Sequence, residues 1–213
     1  MRGSSLAPVT SGFPRRTLHY RRSRSSDALP FAATALIGES FVGDGADAAH
    51  TIVVIGRKGG PVETAWATVL ATPSAGHVPF MTVVRPSVPV RPLTLFVNKA
   101  VAGSDLHERA IWGSAQAGLA QGVLDAVAQG LIPAGDADDL LIIAAVWVNP
   151  AVHDLDACFR NQRAAARGAI HAAVTGTPSV SDALAAAKEG ATNPFYTPSP
   201  EVLAASAPEV VAR

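Results

Sequence analysis

The stretch VGDGADAAHTIVVIG, residues 42–56, sets one histidine, His50, between a bend rich in glycine and aspartate and an unbroken apolar run. An imidazole at the mouth of such a strand either caps the strand end against water or points into a cleft as a proton donor. Its unperturbed pKa near 6.5 would let it hold and release a proton close to neutral pH. Lys99 poses a similar choice at the close of the apolar segment LFVNKAV: its ammonium snorkels to water or faces a ligand at the strand end. Gln116, near the start of a helix, is either solvated surface or a hydrogen-bonding contact. Taken singly, Lys99 and Gln116 read as surface.

Other chemistries find less support. The six histidines (His19, His50, His77, His107, His153 and His171) show no paired metal-ligand spacing, so no metal site is expected. His153 lies near Asp154 and Asp156, a cluster that a helix start enriched in acids explains equally well. No G-x-S-x-G nucleophile elbow occurs. GRKGGP, residues 56–61, could cradle an anion on its amides before a helix. It lacks the spacing of phosphate-binding and dinucleotide-binding loops, and a tight turn is the expected reading.

The elements that must position these groups follow from periodicity. ATALIGESFVG and HTIVVIG read as strands, and PVETAWATVLAT as a short helix with Pro61 at a favourable first position. VPFMTVVRP and LTLFVNKAV read as two further strands, joined by the proline-rich SVPVRP as an extended connection or edge. In GSAQAGLAQGVLDAVAQGLIP, Leu119, Val123, Val127 and Leu131 recur every fourth residue along one helical stripe, with Pro133 beyond the last. LLIIAAVWV is apolar throughout and is expected to be a central strand. HDLDACFRNQRAAARGAIHAAVTG and SVSDALAAAKEG supply two more helices, the first stopped by Gly176. The order predicts an α/β domain of two layers on a mixed sheet.

The chain has 213 residues, suiting one domain with tails, and is 48% hydrophobic with 16% charged residues. That composition hints at large buried interfaces. The single cysteine, Cys158, excludes an internal disulfide. The formal net charge is zero. It is unevenly spread, with Arg2, Arg15, Arg16, Arg21, Arg22 and Arg24 against Asp27 in residues 1–30. This basic extension has little to bury and is expected to be disordered, with no nucleic-acid role. No run of 18 or more apolar residues occurs, so no membrane span is expected, and a cytoplasmic location is the expectation. The folded domain is expected over residues 31–197, with a tail at 198–213.

Taken together in order, VGDGADAAH, GRKGGPVETAWA, VNKAV, WGSAQAGLAQGVLDAVAQGLIPAGDADDLLIIAAVWV and NPF resemble the formaldehyde-activating enzyme family, the 5,6,7,8-tetrahydromethanopterin hydro-lyases. The match runs from about Gly38 to Phe195, and GDG-x-x-x-AH, G-x-KGGP and IP-x-x-x-ADDL carry its specificity. The resemblance implies a lyase that condenses formaldehyde with tetrahydromethanopterin, a co-substrate, to methylene-tetrahydromethanopterin and water, with no tightly bound cofactor. It also implies a homopentamer with pterin clefts between neighbouring subunits. The family's catalytic histidine falls on His50. Its pterin contacts fall on Lys99, Gln116 and Met81, the last replacing a leucine of similar volume.

The chain is a divergent member of this pattern. Ile52 stands where the family usually has aspartate, and Val101 where it usually has threonine. Asn149-Pro150 replaces His-Trp, and Asn193 replaces a histidine before Pro-Phe. A carboxylate serving His50 would then come from Asp44 or Asp47 on the preceding loop. Lost polar contacts also open a second reading, a formaldehyde- or pterin-binding sensor or carrier of the same fold.

Overall fold

The structure, a computed structural model, describes residues 35–205. The basic extension and the end of the expected C-terminal tail lie outside these residues. Among the described residues no helix is long and apolar enough to cross a membrane.

Strands β1 (Leu36–Val42) and β2 (Ala49–Arg57) form an antiparallel pair. In β2, Ala49, Thr51, Val53 and Ile55 are buried, whereas His50, Ile52 and Val54 are half-buried. Side chains on a strand alternate between faces, so His50 belongs to the opposite side of the sheet from the main core. The long apolar strand β7 (Leu140–Val148) pairs antiparallel with β2 and parallel with β6 (Leu93–Asn98). With β3 (Pro79–Met81) on the far edge, the five-stranded order is β1-β2-β7-β6-β3. The sheet is therefore mixed, and β7 is central, as its unbroken apolar sequence predicts.

The segment VPFMTVVRP is not one strand. It breaks at Thr82 into β3 and β4 (Val83–Arg85), and β4 turns back onto β5 (Val88–Pro89). Thr82 donates its N–H to Thr94 O at 2.9 Å and accepts from Val90 N–H at 3.2 Å, which ties the small hairpin to the main sheet. The stretch read as an extended connection is thus the turn and return strand of this hairpin.

The predicted long helix also starts earlier than its apolar stripe. Ser104 caps α2 (Asp105–Arg109), whose His107 N–H donates to Ser104 Oγ at 3.1 Å. A wider π-helical turn, Ala110–Ala115, leads into α3 (Gln116–Ala128). Leu119 and Val123 are fully buried. Each contributes about 1.5–3 kcal/mol by leaving water. The other helices are α1 (Pro61–Ala71), α4 (Leu155–Thr175), α5 (Val180–Ala187) and α6 (Pro200–Ala205). The last lies in the segment expected as a tail.

Helix α4 organises the helical layer by packing on α3, β1 and β2. Asp154 caps its start by accepting from Asp156 and Ala157 N–H at 2.9 and 3.0 Å. Gly176, at φ 67°, ends it in the left-handed conformation that glycine adopts freely. Its buried face is small (Ala165, Ala166, Ala169, Ala172 and Ala173), and glycines oppose it. A Cβ built on Gly122 would sit 2.7 Å from Ala166 Cβ, so α3 and α4 meet almost backbone to backbone.

Candidate active site

The register of the sheet builds one row of side chains across four strands. Phe41 pairs with His50, and His50 with Trp147. Lys99, just past β6, donates its N–H to Val146 O at 3.0 Å and so stands level with Trp147. These residues, with Glu39 and the segment Thr192–Phe195, wall a cleft of about 730 Å³. His50 and Lys99, singled out from sequence, therefore share one pocket.

The loop before His50 is held from two sides. Gly43 and Gly45 adopt φ of 80° and 59°, which bends the chain sharply into β2. Asn149 Nδ2 donates to Gly45 O at 3.0 Å, and Asn161 Nδ2 donates to Asp47 O at 2.8 Å. Beneath the row lies Gln162 of α4, 1% exposed. It accepts from the Thr51 hydroxyl at 3.1 Å and donates to Trp147 O at 2.9 Å. One buried amide thus ties the Thr51 side chain of β2 to the Trp147 backbone of β7, under the His50–Trp147 pair.

The carboxylate beside His50 is Glu39, not Asp44 or Asp47. Glu39 Oε1 lies 2.9 Å from His50 Nε2, and Glu39 is the register partner of Ile52. Asp47 is committed elsewhere, accepting from His153 and Asp154 N–H and pairing with His153 Nδ1 at 3.2 Å. Asp44 is not among the residues lining the pocket. The imidazole is 26% exposed, reachable by a ligand yet flanked by protein.

The pocket is largely aromatic. Phe41 lies 6.1 Å from the His50 ring, and Phe195 meets Trp147 edge-on at 5.5 Å and 81°. Asn193 Oδ1 accepts from Phe195 N–H at 2.9 Å, and Asn193 and Tyr196 exchange backbone bonds. This turn aims Phe195 across the cleft. Lys99 enters no ion pair with an acid among the described residues, so its charge is available to a polar ligand. Such a cleft suits a planar molecule with polar edges.

Met81 and Gln116 lie elsewhere. Met81 is level with Leu95, Ile143 and Val54, three strands away from β2. Strand spacing and rise put it roughly 20 Å from His50. Gln116 Oε1 accepts from Val83 N–H at 2.7 Å, two residues beyond Met81 in the chain. Within one copy the four sequence-derived site residues thus form two pairs.

Other candidates resolve as structure. GRKGGP is a turn, with Gly59 N–H donating to Glu63 Oε2 at 2.7 Å. His107 is fully buried and satisfied, accepting at Nδ1 from Gly103 N–H and donating from Nε2 to Val148 O, both at 3.0 Å. Burial pushes the Cys158 thiol up, which disfavours a thiolate nucleophile. Among the described residues no cluster of three His, Cys, Asp or Glu gathers for a metal ion. Sequence reasoning missed Glu39, Trp147, Phe195 and Gln162. Glu39 stands out only once the β1–β2 register is known, since an acid at an outward strand position otherwise reads as surface.

Comparison with known proteins gives consistent matches. A family model described as "Formaldehyde-activating enzyme (Fae)" matches residues 37–196. The chain is 38% identical over 161 residues to a 5,6,7,8-tetrahydromethanopterin hydro-lyase of Methanosarcina barkeri, covering 76% of this chain and 90% of that protein. It is 41% identical over 150 residues to a bifunctional enzyme Fae/Hps of Methanococcoides burtonii, covering 70% of this chain. A bifunctional enzyme Fae/Hps of Methanosarcina mazei matches at 38% over 148 residues. The match spans 38% of the length of each of these two bifunctional relatives.

Proposed function

The chain belongs to the formaldehyde-activating enzyme family, and from that premise we propose that it condenses formaldehyde with tetrahydromethanopterin to methylene-tetrahydromethanopterin and water. It is a lyase. The observation that carries the reading is the single aromatic cleft holding His50 together with Lys99.

The chemistry explains the demand for an imidazole. A secondary amine of the pterin adds to formaldehyde and gives a carbinolamine. Its hydroxyl must leave, and hydroxide is a poor leaving group. Protonation by His50 as the C–O bond breaks releases water and leaves an iminium carbon. A second pterin nitrogen closes on that carbon and gives up its proton. General acid catalysis of this kind contributes ~10²–10⁴-fold. Trp147, Phe41 and Phe195 supply flat walls for the heterocycle, and Lys99 a charge for its polar edge.

Met81 and Gln116 contribute from a neighbouring copy. Their distance from His50 supports a cleft completed between subunits, in keeping with a homopentamer. The reaction serves one-carbon metabolism and formaldehyde detoxification in the cytoplasm, with the pterin as co-substrate and no tightly bound cofactor.

The test follows methylene-pterin formation against the spontaneous rate. Wild type accelerates the reaction, and His50→Ala lowers kcat by about 10²-fold or more while keeping the fold. Pterin binding without acceleration by wild type would instead leave a carrier of the same fold. An unchanged rate in His50→Ala would make the histidine structural.

A further inference from the structure

We infer that Glu39 is a positioning residue that fixes the tautomer of His50, so that Nδ1 is the atom that passes a proton to the departing hydroxyl; this rests on the reaction proposed above. The geometry is a 2.9 Å contact between Glu39 Oε1 and His50 Nε2 across neighbouring strands. A carboxylate accepts hydrogen bonds, so the nitrogen facing it carries the hydrogen. Neutral His50 is then the Nε2–H form, with Nδ1 bare. When the ring is doubly protonated, the Nδ1 proton is the one not facing Glu39.

The buried His107 obeys the same logic, where Gly103 N–H at Nδ1 fixes the hydrogen on Nε2. There both nitrogens are satisfied by backbone and nothing is left to react. At His50 only Nε2 has a partner among the described residues, and the ring borders the cleft. The charged groups facing it are Glu39 from β1 and Lys99 from the end of β6; β7 presents neutral Trp147, and the covering turn neutral Asn193. Ile52, directly opposite Glu39, offers no competing acceptor.

The step balances. The Nδ1–H bond of the imidazolium breaks and its proton goes to the carbinolamine oxygen. The C–O bond breaks with its electron pair on oxygen, giving water. The amine lone pair forms the C=N bond of the iminium, and the ring is left as the Nε2–H tautomer. The second pterin nitrogen then attacks the iminium carbon, and its proton returns to Nδ1.

The experiment combines NMR of the full chain carrying ¹⁵N-histidine with kinetics. The His50 signals are identified by their loss in His50→Ala. Wild type is expected to show neutral His50 protonated on Nε2, and Glu39→Gln to show a mixture of tautomers. In that variant kcat should fall at least about 10-fold with KM for tetrahydromethanopterin within about two-fold, since orientation of a catalytic imidazole acts on the chemical step. Glu39→Asp, which keeps the charge, should recover part of the loss. A wild-type His50 protonated on Nδ1 overturns the inference. So does a Glu39→Gln protein with unchanged tautomer, whatever its rate. The tautomer readout needs no turnover, so failure of the proposed reaction, seen as no acceleration by wild type, is separable from failure of this inference.

Discussion

At the scale of single residues, the proposed reaction gives His50 the proton and Lys99 the hold on the ligand. Lys99 is partly buried at the strand end and lines the pocket beside Trp147. Lys99→Met keeps the stem and removes the charge. It should raise KM for tetrahydromethanopterin roughly 10-fold with little change in kcat, the mark of binding lost equally from ground and transition states. Steady-state kinetics check this; an unchanged KM would make Lys99 a solvated surface group. His50 and Lys99 were legible because each is a lone polar group at the end of an apolar run. Glu39 was not, since an acid at an outward strand position reads as surface until register sets it beside an imidazole. Gln162 was hidden for a similar reason, as its two partners lie in other elements.

Among the elements, α3 and α4 carry the sheet face behind the site, and their contact is both small and charged. Gly118 and Gly122 bring the backbones together, and Asp125 clasps Arg163 at 2.6 and 3.0 Å. The Arg163 hydrogen bond holds the Asp125 carboxyl below the usual carboxylate range. A group with a depressed folded-state pKa adds stability above its unfolded value, near 3.9, and loses it as pH falls through the folded value. Asp125→Asn should therefore lower Tm at pH 7, and the gap from wild type should close below about pH 3.9. Thermal unfolding across pH measures it; a gap independent of pH would point to packing. The helices themselves were readable from their stripes and from Gly176. The π-helical turn was not, because a five-residue repeat over six residues leaves no distinct apolar pattern. Nor was the break at Thr82, where continuous β-branched sequence conceals a change of partner.

For the whole molecule, the two separated pairs of site residues set the requirement. In the assembly proposed above, one copy offers His50 and Lys99, and another offers Met81 and Gln116. Exposed apolar groups such as Ile37, Trp112 and Val101 fit faces that meet other copies. A mixture of two impaired variants tests this. His50→Ala and Gln116→Ala, dissociated together and reassembled, should regain roughly a quarter of wild-type activity, because some junctions pair two intact halves. No regain would mean that each copy holds its own complete site. Chain length, alternation and the unbroken β7 foretold a mixed α/β sheet. The separation of the pairs could be seen only after strand order was known, since Met81 and Lys99 are close in sequence.

The turn at Asn193–Tyr196 gives this protein an optical handle. Of its three tryptophans, Trp66 lies in α1, Trp112 stacks on Phe80 at 4.2 Å, and Trp147 alone lines the cleft, with the Phe195 edge against it. Replacing Trp66 and Trp112 by phenylalanine would leave one indole whose emission reports on what enters this cleft. Occupancy could then be followed in real time without labelling either reactant.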